Sequence, residues 1–272
     1  MATRSDEQGQ EYARLVVCKE AGIDWVTLNR PEQFNALDFA LADELQQYFH
    51  ALRTDESVRV VVLRGAGKHF CAGMDLKEAA EVDVDGGVQA ALRRQYSIGE
   101  IILRMRRVPQ PVIALVHGAA SGAGFALALA ADVRYAGRSA RMNVAMAKIG
   151  LTGCDIGIAH HLTRAVGQSV ASELMLTGRF IDAERALRTG LVSEVCADDE
   201  LENAGRALAQ DMLSVAPTGL RLTKECVNFA VDSPSLEATM AMEDRQQVVC
   251  TQTPDYREGV AAFFEKRAPR FG

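Results

Sequence analysis

Residues 111–136, PVIALVHGAASGAGFALALAADVRYA, decide how this chain folds. Pro111 opens an aliphatic, β-branched run that reads as a buried strand. Small residues follow from Gly118 to Gly124, and Phe125 to Ala131 is a strong helix former. Asp132–Tyr135 reads as a further short strand. Residues 58–78, VRVVVLRGAGKHFCAGMDLKE, repeat the design: 59–64 (RVVVLR) is a buried strand, and the small-residue turn behind it is Phe70-Cys71-Ala72-Gly73-Met74-Asp75-Leu76. Small residues let a ligand approach the backbone closely. A peptide N–H in a turn or at a helix N-terminus is a fixed donor, reinforced in the second case by the helix dipole. Two such donors converging on one point would make an oxyanion hole able to stabilise a thioester enolate. Two tight turns packed against neighbouring strands fit the same residues, and spacing alone leaves both readings open.

Outward from these stretches the pattern stays consistent. Residues 14–18 and 23–29 predict two strands joined by a turn at Glu20–Gly22. Asp38 is placed to cap a helix whose apolar face is Leu41, Leu45, Tyr48, Phe49 and Leu52. Residues 78–107 are helix-prone and interrupted at Gly86-Gly87. Beyond Ala171 the chain turns helical: 171–177 stopped by Gly178, 182–189 stopped by Gly190, then 199–214, 217–231, 235–250 and 255–266. The fold class is α/β, with a core over 12–197 and a helical region over 198–272.

The 272 residues are 48% hydrophobic and 24% charged, an ordinary globular composition. Thirty Lys and Arg against thirty-six Asp and Glu give a net charge of −6, which argues against nucleic-acid binding by bulk electrostatics. Six dispersed cysteines (Cys18, Cys71, Cys154, Cys196, Cys226, Cys250) form no C-x-x-C pair and read as reduced, mostly buried thiols. The start, MATRSDEQGQEYARL, lacks an apolar targeting core, and the longest apolar run, Phe125 to Ala131, is too short for a bilayer. A cytoplasmic protein without membrane association is expected.

Several familiar motifs fail on inspection. Gly67-Lys68 resembles the end of a phosphate loop, but His69 replaces the magnesium-binding hydroxyl and Val62 the first glycine. Gly122-Ala123-Gly124 lacks the third glycine of a dinucleotide fingerprint, which is Leu127 here. Ala119 stands where a nucleophile elbow around Ser121 needs glycine. His160 and His161 are adjacent, so on a helix their side chains diverge by about 100° and no metal site is expected.

The segments VTLNRPEQFNALD (26–38), 58–78, 111–136, LTRAVGQSVASELMLTGRFIDAERALRTGLVSEV (162–195) and FFEKR (263–267) strongly resemble the crotonase superfamily, the enoyl-CoA hydratase/isomerase family. Order and spacing are preserved from about residue 12 to the end. The resemblance implies a β-β-α spiral core, a helical C-terminal trimerisation region, and a homotrimer or dimer of trimers acting on acyl-CoA. No cofactor is implied, since coenzyme A enters with the substrate. It also implies an oxyanion hole from the N–H groups of Ala72 and Ala123, with Gly73, Met74, Asp75 and Leu76 along the bound coenzyme and Gly124 beside them. Phe263 and Lys266 match residues that contact the coenzyme, often from a neighbouring subunit. A solvated lysine at a helix end fits Lys266 equally well.

One departure governs the chemistry. The positions of the two glutamates of ordinary hydratases are Ala126 and Met146 here, and neither can move a proton. The best substitute is Asp155, whose position resembles an aspartate used for proton transfer by dienoyl-CoA isomerases and as nucleophile by 4-chlorobenzoyl-CoA dehalogenases. The partners those groups use correspond here to Ala147 and Gly99, with Glu100 beside the latter, while Asp75 and Asp132 fall at positions that look structural. Asp155 also opens a helix-like stretch and would serve as its cap. The expectation is an enoyl-CoA hydratase/isomerase-type enzyme using Asp155 as acid and base. The alternatives are a non-catalytic acyl-CoA binder, or a hydrolase or dehalogenase using Asp155 as nucleophile.

Overall fold

The computed structural model describes residues 12–81 and 87–271. The N-terminal reading, which rests on residues 1–11, and the break expected at Gly86 lie outside them. A hairpin opens the fold: β1 (Leu15–Glu20) pairs antiparallel with β2 (Ile23–Leu28). Ala21 and Gly22 close it, both with positive φ (47° and 86°), the turn that matches the twist of two paired strands. Then β3 (Val60–Gly65), β4 (Val112–Val116), β6 (Val133–Gly137) and β9 (Glu194–Cys196) add in parallel, giving a six-stranded sheet in the order β1-β2-β3-β4-β6-β9. A smaller sheet joins β5 (Ala119–Ser121), β7 (Arg141–Asn143) and β8 (Ile181–Asp182). Sequence pattern had marked β5 as part of a turn and left β7 to β9 unmarked, because two or three residues carry no readable alternation.

The large sheet is covered on both faces, which is why its strands are apolar throughout. Val61 and Leu63 of β3 point into the larger core with α1 (Phe39–Leu52), α3 (Gly87–Arg107) and α4 (Ala123–Ala130). Val60 and Val62 point the other way, against Trp25, Ile113, Leu115 and the residues Leu201 and Ala209 of α7 (Leu201–Leu213). The first helix of the C-terminal region therefore packs on the sheet. Asp38 caps α1, its Oδ1 accepting from Leu41 N at 2.7 Å. Every residue of α4 is buried, as a helix apolar on all sides must be.

Three sequence expectations change. The helix expected over 171–177 begins earlier: α5 runs Ile158–Thr177, broken only at Gly167 (φ 76°, ψ 164°). Asp155 does not cap it, because the N-cap is Gly157 and no side chain bonds that terminus. The stretch 78–107 keeps its expected helical character, as α2 (Leu76–Glu81) and α3. Of the six thiols only Cys71 is buried, Cys154 is exposed, and the other four are half-buried. The remaining helices fall within about two residues of expectation: α6 (Ala183–Arg188), α8 (Pro217–Asp232), α9 (Leu236–Thr251) and α10 (Pro254–Glu265). Among the described residues no helix is long and apolar enough to cross a membrane.

Candidate functional site

The two glycine-rich turns meet. Cys71 and Ala120 form a parallel bridge, with Cys71 N donating to Ala119 O at 3.1 Å and Ser121 N to Cys71 O at 2.9 Å. The stitch is close enough to exclude side chains. A Cβ on Gly124 would sit 2.2 Å from Cys71 O, and one on Gly73 2.7 Å from Ser121 O and 3.5 Å from Ala123 N. Gly73 also holds φ +99°, which L-residues rarely adopt. The identity of both glycines thus follows from the approach of one turn to the other.

A second bridge aims the backbone. Leu37 N donates to Gly73 O at 2.7 Å, and Asp75 N donates to Leu37 O at 2.9 Å. In such a parallel bridge the intervening residue turns its own N–H away from the partner strand. Met74 N accordingly has no hydrogen-bond partner among the described residues. Neither has Ala123 N, the first amide of α4, where no carbonyl lies one turn behind. Ala72 is different: its N–H donates to Phe34 O at 3.0 Å. This corrects the expectation for Ala72, whose amide is already spent; the unspent donor on that turn is Met74. Residue types could not reveal it, since the distinction lies in a long-range bridge to Leu37.

Met74 and Ala123, which carry the free amides, both line a cavity of about 540 Å³. Phe39, Met74, Leu76, Ile98, Met146, Ile149, Leu151 and Ile156 make most of its wall apolar. Its polar side chains are Arg94, Gln95 and Asp155, so Asp155 is the one carboxylate among its lining residues. Gln95 Nε2 donates to Asp155 Oδ1 at 2.5 Å and Ile156 N donates to the same oxygen at 2.8 Å. Oδ2 has no hydrogen-bond partner among the described residues and is the oxygen left to work. The following residue, Ile156, holds φ +33°, a strained setting for a β-branched side chain. Cys71 beneath the turn offers no nucleophile, for burial pushes its thiol up to about 11 despite the Gly73 N–H.

The other expected site residues sort by position. Ala72, Gly73, Met74, Leu76, Ala123 and Met146 line the cavity with Asp155. Gly124 and Ala126 are buried behind the first turn of α4. Asp75 faces away, paired with Arg30 at 3.1 Å, while Arg30 also reaches Asp38 at 3.1 Å. Burial would raise the Asp75 carboxyl, but Arg30 and backbone N–H groups hold it below the usual range. Phe263 lines a separate surface cavity with Tyr256, Phe264 and Phe271. Lys266 is the exposed left-handed cap of α10. Neither reaches the site within one chain. Glu100 is held by Arg104 at 3.1 Å and Arg107 at 3.6 Å and lies outside the site cavity. His160 and His161 do not diverge as expected; their rings meet edge-on, centroids 4.9 Å apart. No three His, Cys, Asp or Glu among the described residues are grouped to hold a metal ion.

The sequence model of the family described as enoyl-CoA hydratase/isomerase matches residues 18–272. The chain belongs to that family. It is 43% identical over 250 residues to a Mycobacterium tuberculosis protein named "Probable enoyl-CoA hydratase EchA12", covering 90% of this chain and 88% of that one. It is 35% identical over 255 residues to the 1,2-epoxyphenylacetyl-CoA isomerase of Escherichia coli, covering 93% and 95%. The crystal structure of an enoyl-CoA hydratase from Bacillus anthracis superposes with a TM-score of 0.90 at 33% identity, covering 95% of this chain and 98% of that chain. This enoyl-CoA hydratase/isomerase family member is thus an acyl-CoA-processing enzyme on a crotonase fold.

Proposed function

We propose that the cavity binds the acyl end of a coenzyme A thioester and stabilises its enolate, with the Met74 and Ala123 amides donating to the thioester oxygen and Asp155 moving the proton. The observation that carries this reading is the meeting, in one mostly apolar cavity, of two unspent backbone donors and a single carboxylate. Fixed amides need no reorganisation as negative charge develops on the oxygen, and their effect grows where apolar walls exclude water. The α4 dipole adds to the Ala123 donor. Asp155 Oδ2 would take a proton beside the thioester carbonyl or return one to the acyl chain, with Gln95 holding the carboxylate plane. Met146, in the cavity wall, and Ala126, behind it, then shape the acyl slot where glutamates would otherwise work, and Gly73 to Leu76 carry the pantetheine.

The assembly belongs to the same proposal. Phe263 and Lys266 lie away from their own chain's cavity, so their coenzyme contacts would be made across an interface in a homotrimer or dimer of trimers. The catalytic assignment is tested with Asp155→Asn. Turnover of enoyl-CoA substrates should fall about 10²–10⁴-fold, while calorimetric coenzyme A affinity stays within a few-fold. Full activity in that variant would overturn the role of Asp155.

A further inference from the structure

Helix α3 carries five arginines, at positions 93, 94, 104, 106 and 107. The three near its C-terminal end all have partners. Arg104 and Arg107 are held by Glu100 at 3.1 and 3.6 Å, and Arg106 by Asp132 at 2.8 Å. Arg93 is exposed and is not in the wall of the site cavity. Arg94 differs from all four. It is half-buried and lines that cavity, the one cation among its lining residues. Among the described residues no carboxylate lies within ion-pair reach of its guanidinium, and none of its donors is taken. The residues one turn away on either side, Ala90, Ala91, Ser97 and Ile98, bring no acid to it. Asp155, in the same cavity wall, has its Oδ1 bonded by Gln95 and by Ile156 N, not by Arg94. A guanidinium stays charged at every working pH, and beside apolar walls its field is less screened than in open water. A neutral acyl chain in this cavity would leave that charge without a counterion.

We infer that Arg94 binds a carboxylate carried by the acyl group, so that the enzyme selects coenzyme A thioesters of dicarboxylic acids over those of neutral fatty acids. The inference rests on the acyl-CoA reading above and names the substrate class for that site. The planar guanidinium fork matches a carboxylate through two parallel hydrogen bonds, a stronger contact than a neutral pair gives. The position favours an acyl carboxylate over a coenzyme phosphate. Arg94 precedes Gln95, the residue that holds Asp155, so it borders the reacting end of the substrate, whereas the phosphates lie a full pantetheine arm from the thioester. Asp155 repels a second carboxylate, which steers the free end of the acyl group to Arg94 and leaves Oδ2 to the proton.

The test is calorimetric binding of succinyl-, glutaryl-, adipoyl- and hexanoyl-CoA, and of free coenzyme A, to the full-length wild type and to Arg94→Met. At least one of the three dicarboxylic thioesters should bind the wild type about tenfold or more tightly than hexanoyl-CoA. Arg94→Met keeps a long side chain and a good helix former without the charge. It should bring that ratio to about one or below and leave free coenzyme A within about twofold of wild type. Arg94→Gln, with the same expected result, decides the matter if Arg94→Met does not fold. A wild type that binds hexanoyl-CoA as tightly as all three, or a variant that keeps the wild-type ratio, would overturn the inference and leave the proposed function standing. An equal loss for every thioester and for free coenzyme A in the variant would put the guanidinium on the phosphates and overturn it as well. A wild type that binds none of the thioesters would overturn both readings.

Discussion

Gly73 is where a single atom decides the site. Its φ of +99° and the 2.7 Å from a would-be Cβ to Ser121 O mean that alanine would strain the backbone and push the two turns apart. Gly73→Ala should lose about 2–4 kcal/mol of stability in urea titrations and at least about tenfold in turnover, because re-aiming the Met74 amide would weaken the proposed oxyanion contact. Ala72→Gly is the contrasting change. The Ala72 N–H already bonds to Phe34 O, so this variant should stay within a few-fold of wild-type turnover. Equal loss in both variants would argue against Met74 as the donor. Neighbouring residues of like size, Ala72 and Gly73, were legible in the sequence only as small; which of the adjacent amides remained free depended on Leu37, more than thirty residues away.

At the scale of elements, α8 is tied to the body by a buried charge. Lys224 Nζ reaches Asp132 Oδ2 at 2.9 Å and donates to Gln110 O at 2.8 Å and Met105 O at 3.2 Å. Burial lowers the Lys224 pKa, and the Asp132 carboxylate works against that shift. Asp132 also holds Arg106 at 2.8 Å and accepts from Val112 N at 2.8 Å, so one carboxylate joins α3, β4 and α8. Lys224→Met leaves Asp132 with its other partners but orphans two carbonyls. It should cost about 3 kcal/mol, the mid-range of losing part of a buried ion network, as an earlier urea midpoint with unchanged slope. A shift below about 1 kcal/mol would mean that α8 is held by its apolar contacts alone. The sequence showed α8 as a helix and placed Asp132 at a structural-looking position, yet nothing in either local pattern linked residues ninety positions apart.

On the scale of the whole molecule, the C-terminal region exposes many apolar side chains. Helix α9 has no buried residue over its sixteen positions, and Phe263 and Phe264 of α10 are 79% and 77% exposed. Val248, Val249, Tyr256 and Val260 are exposed beside them in the chain. Exposed apolar side chains of this kind fit the association face proposed above. Light scattering should return a mass that is a multiple of three chains, and the double variant Phe263→Ser, Phe264→Ser should lower it. A wild type that stays monomeric at micromolar concentration would remove the interface and, with it, the coenzyme contacts proposed for Phe263 and Lys266.

Resemblance to the crotonase superfamily implied the architecture and the lack of acids at Ala126 and Met146; by itself the sequence determined the strand-then-turn design at residues 59–76 and 111–124 and the Asp38 cap. These are local properties, set by periodicity, residue size and the chemistry present at a position. Only the tertiary structure decided that the two turns lie bridged at Cys71 and Ala120, that Met74 rather than Ala72 keeps its amide free, and that Asp155 shares their cavity instead of capping α5. Each of those facts depends on hydrogen bonds or packing between segments far apart in the chain, and one sequence carries no record of which segments meet.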